Sequence, residues 1–544
     1  MAVTKKKGRL QTERFQALIG ILEMLGAMIL VKLGGPVVAG YFGGAVFFVF
    51  FLPYFFLRSA SMVASRNLKT QISFQKYKAG NSFWCSAVIY EFLWVICISL
   101  LILLFGRRIS IWLWKTPDIR YLLYISCVWL LLYAMIRLLE SYIRGTGYIN
   151  ILKVCMIQRL ILMFAGAFAG YFVFRKHGEI AGAILHNPNA DSFYRAMGIL
   201  GAGGIGLFIS CLITFVFTFL VSRNYMERNK LHISTSLRER LEDMRKLATG
   251  EWTQTLFFFL YGALPMGALI LTLLFAPSCA VAEGKLRMTG ICLMILLPLA
   301  GLLVNIWDLL LIPVKKALAP NIRESDTKMI RIYLHGILRG YLAVFLALCM
   351  VLVLTIRHLF SFLLGAEVAA SIEMSGVYLG CFIGFGISFV KVFYDIHRNF
   401  QNSFRQLMYV GIGFMLGLGV DLVLWKALHR EDLLFSLSFL IPALVYFVCV
   451  YLDLKKQMRF RFVYMALAVE QLLLTLAPAL VVYIIDRYAF TGWDSVSAGL
   501  MCAGIYLLIY LIVMVVVPVV SDSDVDSMPG ASFVLWLRHF MMRG

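Results

Sequence analysis

The sequence predicts an all-α polytopic membrane protein of about fourteen transmembrane helices, built as two pseudo-symmetric six-helix lobes plus a C-terminal helix pair. Three observations predict it. Of 544 residues, 61% are hydrophobic and 15% charged, against about 45–50% and about 25% in a soluble domain. Apolar runs long enough to cross a bilayer recur along the whole chain. Basic residues gather in alternate segments between those runs. The composition excludes a soluble enzyme. A net charge of +21 would suggest nucleic acid in a soluble protein; here it belongs to membrane-flanking loops, and no nucleic-acid partner is expected.

The spans fall at about 17–33, 40–62, 82–105, 120–142, 150–174, 197–222, 252–275, 289–313, 333–356, 371–394, 404–424, 433–452, 463–486 and 497–519. Residues 1–16 carry five Lys and Arg and lead into the first run without a small-residue cleavage site, so this run is read as a span rather than a cleaved leader. With the N-terminus in the cytoplasm, the inside segments hold 29 Lys and Arg and the outside segments 12. That asymmetry predicts that both termini are cytoplasmic. The basic loop Arg107 to Lys115 opposes the rule, which makes the third and fourth spans the least constrained pair.

The second span, in Gly40 to Arg66, joins Pro53 to Arg58 inside one apolar stretch. A guanidinium at that depth costs several kcal/mol unless it faces protein or a wet cavity, and proline frees a carbonyl that needs a partner. The stretch is therefore expected to line a transport cavity. Between the sixth and seventh spans, SLRERLEDMRKL places Leu237, Leu241, Met244 and Leu247 at helical spacing, an amphipathic surface helix. The predicted divisions are an N-terminal lobe at 1–222, this linker at 223–251, a C-terminal lobe at 252–452, and the extra pair with its tail at 453–544. An internal repeat supports two lobes: Pro53 and Pro313 each close a second span, and Arg144 and Arg398 follow 91 and 85 residues later. Repeats of this kind are a usual construction of secondary transporters.

Charges inside spans are the candidate chemistry. The first lobe offers Glu23, Lys32, Arg58, Glu91, Arg137, Glu140, Lys153 and Arg159; the second offers Asp308, Arg339, Lys391 and Asp421, and the extra pair Glu470. Lys32, Arg339 and Lys391 lie near span ends, where they can snorkel. Arg137 and Glu140, three apart, can pair on one helix face. Arg58, Arg137, Lys153 and Arg159 are expected to converge on the lobe interior, where guanidinium groups suit phosphate oxygens. Glu23, Glu91 and Asp308 are the candidates for binding a coupling ion, Na⁺ or H⁺. The run GAGGIG at 201–206 lies inside a span with no strand before it, so helix packing explains it better than a dinucleotide site. Gly40–Gly44 and Gly413–Gly417 are read the same way. Eleven cysteines without a CxxC pair and eight histidines without HExxH predict reduced thiols, no metal site and no cofactor. No Walker A motif or large external domain points to an enzyme.

These features resemble the MOP exporter superfamily, which includes MATE multidrug exporters, polysaccharide and oligosaccharide-lipid flippases and lipid II flippases. The resemblance covers about residues 15–520 and rests on span count, the two-lobe repeat and FFVFFLPYFFLRSASMVASR. It implies a V-shaped pair of lobes, alternating access and export driven by an ion gradient or membrane potential, with Arg58 as a headgroup-contacting arginine. The segment departs from the lipid II flippase pattern by one residue of spacing, and Glu23 and Lys32 stand where those flippases place arginines. The expected function is a flippase for a polyprenyl-pyrophosphate-linked saccharide, a cell-wall or exopolysaccharide precursor, with membrane lipids as its other partner. The alternatives are a cation-coupled multidrug exporter of small molecules and a non-transporting subunit of a polysaccharide synthase. The sign of charge at the site separates the first two.

Overall fold

The computed structural model describes the backbone of residues 2–185, 189–229, 237–250, 252–323, 327–397, 403–458, 470–516, 535–536 and 539. Side chains are described for 12–46, 60–184, 189–223, 238–249, 252–312, 318, 328–397, 404–456, 471–514, 535–536 and 539. The side chains of Pro53, Arg58, Pro313 and Glu470, and residue Arg398, lie outside them.

All regular structure among the described residues is helical. The helices are α1 (Ala2–Ser73), α2 (Tyr77–Trp114), α3 (Ile119–Thr146), α4 (Ile149–Leu185), α5 (Ala190–Asn229), α6 (Leu237–Gly250), α7 (Trp252–Phe275), α8 (Ala282–Ile291), α9 (Leu297–Arg323), α10 (Thr327–Gly340), α11 (Leu346–Leu364), α12 (Ala366–Ala370), α13 (Met374–Gly380), α14 (Ile383–His397), α15 (Ser403–Val423), α16 (Glu431–Met458), α17 (Glu470–Ala489) and α18 (Ser495–Val516). Single π-turns join α8 to α9 and α10 to α11. Thirteen stretches of the described residues are long and apolar enough to cross a membrane. Twelve correspond one to one with spans expected from the third onward.

The thirteenth stretch, Thr12–Val46, holds the first span and the start of the second, because α1 is two helices. Gly35 breaks it at φ +79°, a conformation only glycine adopts without strain. Pro36 follows and has no N–H to leave unbonded. Contact order shows that the chain reverses there. Phe15, Gly26 and Leu33 meet Lys153, Phe164 and Tyr171 of α4 at a constant offset, so this half runs parallel to α4. Phe42 and Leu68 meet Trp129 and Gly145 of α3, so the other half runs parallel to α3. Helices α3 and α4 form a tight hairpin closed by Gly147 at φ +89° and are antiparallel.

The basic loop that opposed the charge rule is mostly helix. Helix α2 continues through Arg107 and Arg108 and ends at Lys115, which takes the left-handed conformation and donates from Nζ to the carbonyl of Ala280 at 2.8 Å. The two spans are thus separate and well defined.

The chain divides into two compact units, residues 1–15 with 26–295 and residues 16–25 with 296–544. In the first, a long apolar core runs through α1 to α5 and includes Tyr41, Trp114, Trp129, Leu130 and Ile136. Glycines set the helix distances, as expected. A Cβ on Gly40 would lie 2.0 Å from the carbonyl oxygen of Leu286, and one on Gly206 2.1 Å from that of Leu162. Buried indole N–H groups find acceptors: Trp129 donates to the carbonyl of Leu200 at 2.7 Å and Trp114 to Thr289 at 3.0 Å. Bonds of this kind matter because hydrocarbon offers no water to an unpaired donor. Helix α6 docks by Leu247, buried with Ala64, Phe83, Ala87 and Leu138, while Leu241 stays exposed.

The second unit repeats the plan. Leu296, Ala300 and Asp308 meet Gly380, Gly384 and Lys391 at a near-constant offset, so α9 runs parallel to α13–α14, as the second half of α1 does to α3. Helices α15 and α16 pack antiparallel where Gly413 meets Pro442, as α4 and α5 do where Gly170 meets Gly198. An aromatic cluster of Trp307, Tyr341, Phe345, Phe385 and Phe389 fills the centre. Helices α17 and α18 add to α11 through Tyr506, Tyr510 and Ala479.

Candidate functional site: a buried charge cluster

Helix α3 carries Tyr133, Arg137 and Glu140 at positions i, i+4 and i+7, which a helix places along one face. Helix α4 returns beside it with Arg159. The guanidinium of Arg159 donates from Nη1 to Oε1 of Glu140 at 2.7 Å, with the two side chains 7% and 8% exposed. Either charge alone at this depth would be destabilising by several kcal/mol, and the charge-assisted bond offsets that. Tyr133 has two cations at its ring: the guanidinium carbon of Arg159 is 5.6 Å from the centroid and that of Arg137 is 5.7 Å. The negative face of an aromatic ring attracts such cations.

Glu91 of α2 completes the cluster. It is 1% exposed, and no side chain of the described residues donates a hydrogen bond to either carboxylate oxygen. The groups that act on it are Arg137 and the backbone of Ser61. Next to Arg159, Gln158 crosses to α5 and donates to Ser210 Oγ at 3.0 Å and Thr214 Oγ1 at 3.1 Å, fixing this part of α4. Lys153 lies lower on α4 with its ammonium 5.9 Å from the ring centroid of Phe15.

Of the four cations expected to converge, Arg137 and Arg159 meet around Tyr133, Lys153 sits on a different ring, and the side chain of Arg58 lies outside the described residues. The expected pairing of Arg137 with Glu140 is replaced. Glu140 binds Arg159 across the hairpin, and Arg137 acts on Glu91. The sequence reading also missed the role of Tyr133, for which i,i+4 spacing to Arg137 was the available signal.

In the second unit, Lys391 does not snorkel; it donates to Asp308 of α9. Asp308 is thus held in an ion pair. Asp421 accepts from Ser438 at 2.8 Å. Glu23 is half-buried and Lys32 is exposed. His397 of α14, fully buried, faces Asp453 of α16 at 3.4 Å, and Asp453 also accepts from Tyr409 of α15. No sequence spacing announces this cluster, whose members are distant in the chain.

The cluster in the first unit holds two cations, Arg137 and Arg159, and two carboxylates, Glu91 and Glu140, with Lys153 apart from it on Phe15. It brings two guanidinium groups and two carboxylates together out of water, one pair directly bonded and the other acting through charge.

No family model matches the sequence, and no curated protein matches it. Solved structures do. The eukaryotic MATE transporter AtDTX14 superposes with a TM-score of 0.58 at 14% identity, covering 84% of this chain and 98% of that one. An inward-facing multidrug resistance MATE family transporter of the MOP superfamily gives 0.54 at 12%, covering 81% and 94%. The lipid II flippase MurJ in an inward closed conformation gives 0.49 at 12%, covering 92% and 97%. This chain is therefore a multi-pass membrane protein with the fold of the MATE transporters of the MOP superfamily.

Proposed function

We propose that this protein is a transporter that moves a polyprenyl-pyrophosphate-linked saccharide across a bacterial cytoplasmic membrane by alternating access. The observation that carries the reading is the pair of guanidinium groups of Arg137 and Arg159, at 5.7 and 5.6 Å from the Tyr133 ring centroid. Guanidinium is suited to diphosphate oxygens, and a low-dielectric surround strengthens such contacts. Likeness in fold to MATE transporters supports transport rather than catalysis. In this reading the N-terminal lobe is 1–222, the linker 223–251, the C-terminal lobe 252–452 and the extra pair with its tail 453–544, with both termini cytoplasmic. Arg58 and Lys153 join Arg137 and Arg159 in holding the headgroup.

The test is translocation of a lipid-linked pyrophosphoryl saccharide in proteoliposomes. Arg137→Ala and Arg58→Ala are each expected to lower the rate at least ~10-fold, the loss of one charge-assisted contact of about 1.5–3 kcal/mol. Unchanged rates in both variants would remove the substrate assignment.

One observation favours a second reading, a cation-coupled exporter of small molecules: Glu91 is buried and receives no side-chain hydrogen bond from the described residues, as suits an acid that takes up H⁺ or Na⁺. Glu23 and Asp308 are further candidates, Asp308 after release from Lys391. Glu91→Gln abolishing ion-driven uptake of a cationic dye, with lipid translocation absent from the wild type, would select this reading.

A further inference from the structure

At the end of the second unit where α17 turns into α18, three side chains from three helices meet. They are His358 of α11, Asp486 of α17 and Cys502 of α18. His358 Nε2 lies 2.9 Å from Asp486 Oδ1, and the thiol of Cys502 donates to the same oxygen at 3.4 Å. The three donor atoms all lie within 4.8 Å of one another. Cys502 is wholly buried, whereas the side chains of His358 and Asp486 are 19% and 27% exposed. The group is thus anchored on its sulfur side and open to solvent on its imidazole and carboxylate side.

One nitrogen, one oxygen and one sulfur donor at these separations are close to what a tetrahedral ion demands. With Zn–N and Zn–O near 2.0–2.1 Å and Zn–S near 2.3 Å, the N and O donors stand about 3.3 Å apart, and the S and O donors about 3.5 Å apart. The N–O and S–O pairs here need to open by about 0.4 and 0.1 Å, and the S–N pair, within 4.8 Å, has to settle at about 3.5 Å. The helices are placed for it: a Cβ on Gly499 would lie 3.1 Å from the Cβ of His358, so glycine lets α18 approach α11 one turn before Cys502. Around the thiol, Ala479, Val482 and Tyr506 form an apolar cluster. A wholly apolar side chain would fill that place without a polar atom to satisfy.

We infer that His358, Asp486 and Cys502 form a three-ligand site for a transition-metal dication of the zinc class, and that the ion ties the α17–α18 pair to α11. The thiol proton leaves to solvent as the metal–sulfur bond forms, the imidazole binds as the neutral ring, and water takes the fourth position from the exposed side. The site is independent of the charge cluster in the first unit and of the transport reading.

Co²⁺ is the probe, because a thiolate ligand gives it a near-ultraviolet charge-transfer band and tetrahedral geometry gives intense visible bands. Full-length protein in detergent, stripped with chelator, is titrated with Co²⁺ and then with Zn²⁺. One equivalent of Co²⁺ developing both bands, and their loss on adding Zn²⁺, is the expected result. Cys502→Ser is expected to lose the charge-transfer band, although the other cysteines remain. His358→Gln, which keeps a donor toward Asp486, is expected to keep that band but weaken binding at least ~10-fold. If the wild type develops no thiolate–cobalt band, or both variants bind as the wild type does, the triad is a hydrogen-bonded cross-link and the metal site is refuted.

Discussion

Removing either member of the Arg159–Glu140 pair leaves the other charge buried, and the size of the effect follows from the geometry. Two unit charges about 4 Å apart at an effective dielectric near 20 attract by about 4 kcal/mol. Loss of one partner of a buried pair costs about 3–5 kcal/mol, mostly through the charge left unpaired. Both side chains are more than nine-tenths buried and bonded at 2.7 Å, so Glu140→Gln and Arg159→Gln are each expected near that range. The double variant buries no net charge and should lose less than the sum, giving a coupling energy of about 2 kcal/mol or more. Interhelical hydrogen bonds in membranes average about 0.6 kcal/mol and reach about 1.7, so the expected coupling lies above anything a neutral bond supplies. The assay is reversible unfolding in mixed micelles, followed by helical circular dichroism for the wild type, both single variants and the double variant. A coupling at or below about 0.6 kcal/mol would refute the reasoning and mean that the pair is solvated or exchanges partners.

Two glycines of one motif should respond oppositely to alanine. Gly206→Ala puts a methyl 2.1 Å from a backbone oxygen and is expected to cost at least about 2 kcal/mol, whereas Gly201→Ala meets nothing within 4 Å and should be neutral or slightly stabilising in the same unfolding assay. Helix α6 should loosen as pH rises. Burial raises the pKa of Asp243, with Lys246 opposing, so the native state holds this proton more tightly than the unfolded chain. That contribution is fully present below the unfolded carboxylate pKa and is lost as pH rises through the raised native one. Hydrogen exchange of residues 237–250, corrected for intrinsic rate, should show protection falling across that window, and Asp243→Asn should flatten the dependence.

The spans were legible because each is a long apolar run whose length has few other uses. The glycine motifs were legible because a small residue repeated in an apolar helix has packing as its main use. Partners of the charges were not legible. Spacing along α3 offers Glu140 to Arg137, but spacing cannot say that Arg159 on the next helix comes closer. Asp308 and Lys391 lie 83 residues apart and His358 and Asp486 128 apart, so local periodicity has no access to them. His358, Asp486 and Cys502 fit no spaced metal motif, and for that reason the sequence predicted none. The basic run at Arg107 is carried by helix α2, with Arg107 and Arg108 exposed on its flank and the turn toward α3 beginning only at Lys115.

Gly35 bears on how the chain enters the bilayer during synthesis. A reversal made at one glycine, followed by a proline without an N–H, leaves very few unbonded amides between the first two helices. The segment 34–39 contains no ionisable residue. Lys32, three residues before the hinge, is then the charge nearest the turn that must be carried through the hydrocarbon, and the two helices can leave the insertion machinery together as one hairpin. Replacing Gly35 by any side-chain-bearing residue would strain that hinge and force the second helix to find its way across separately.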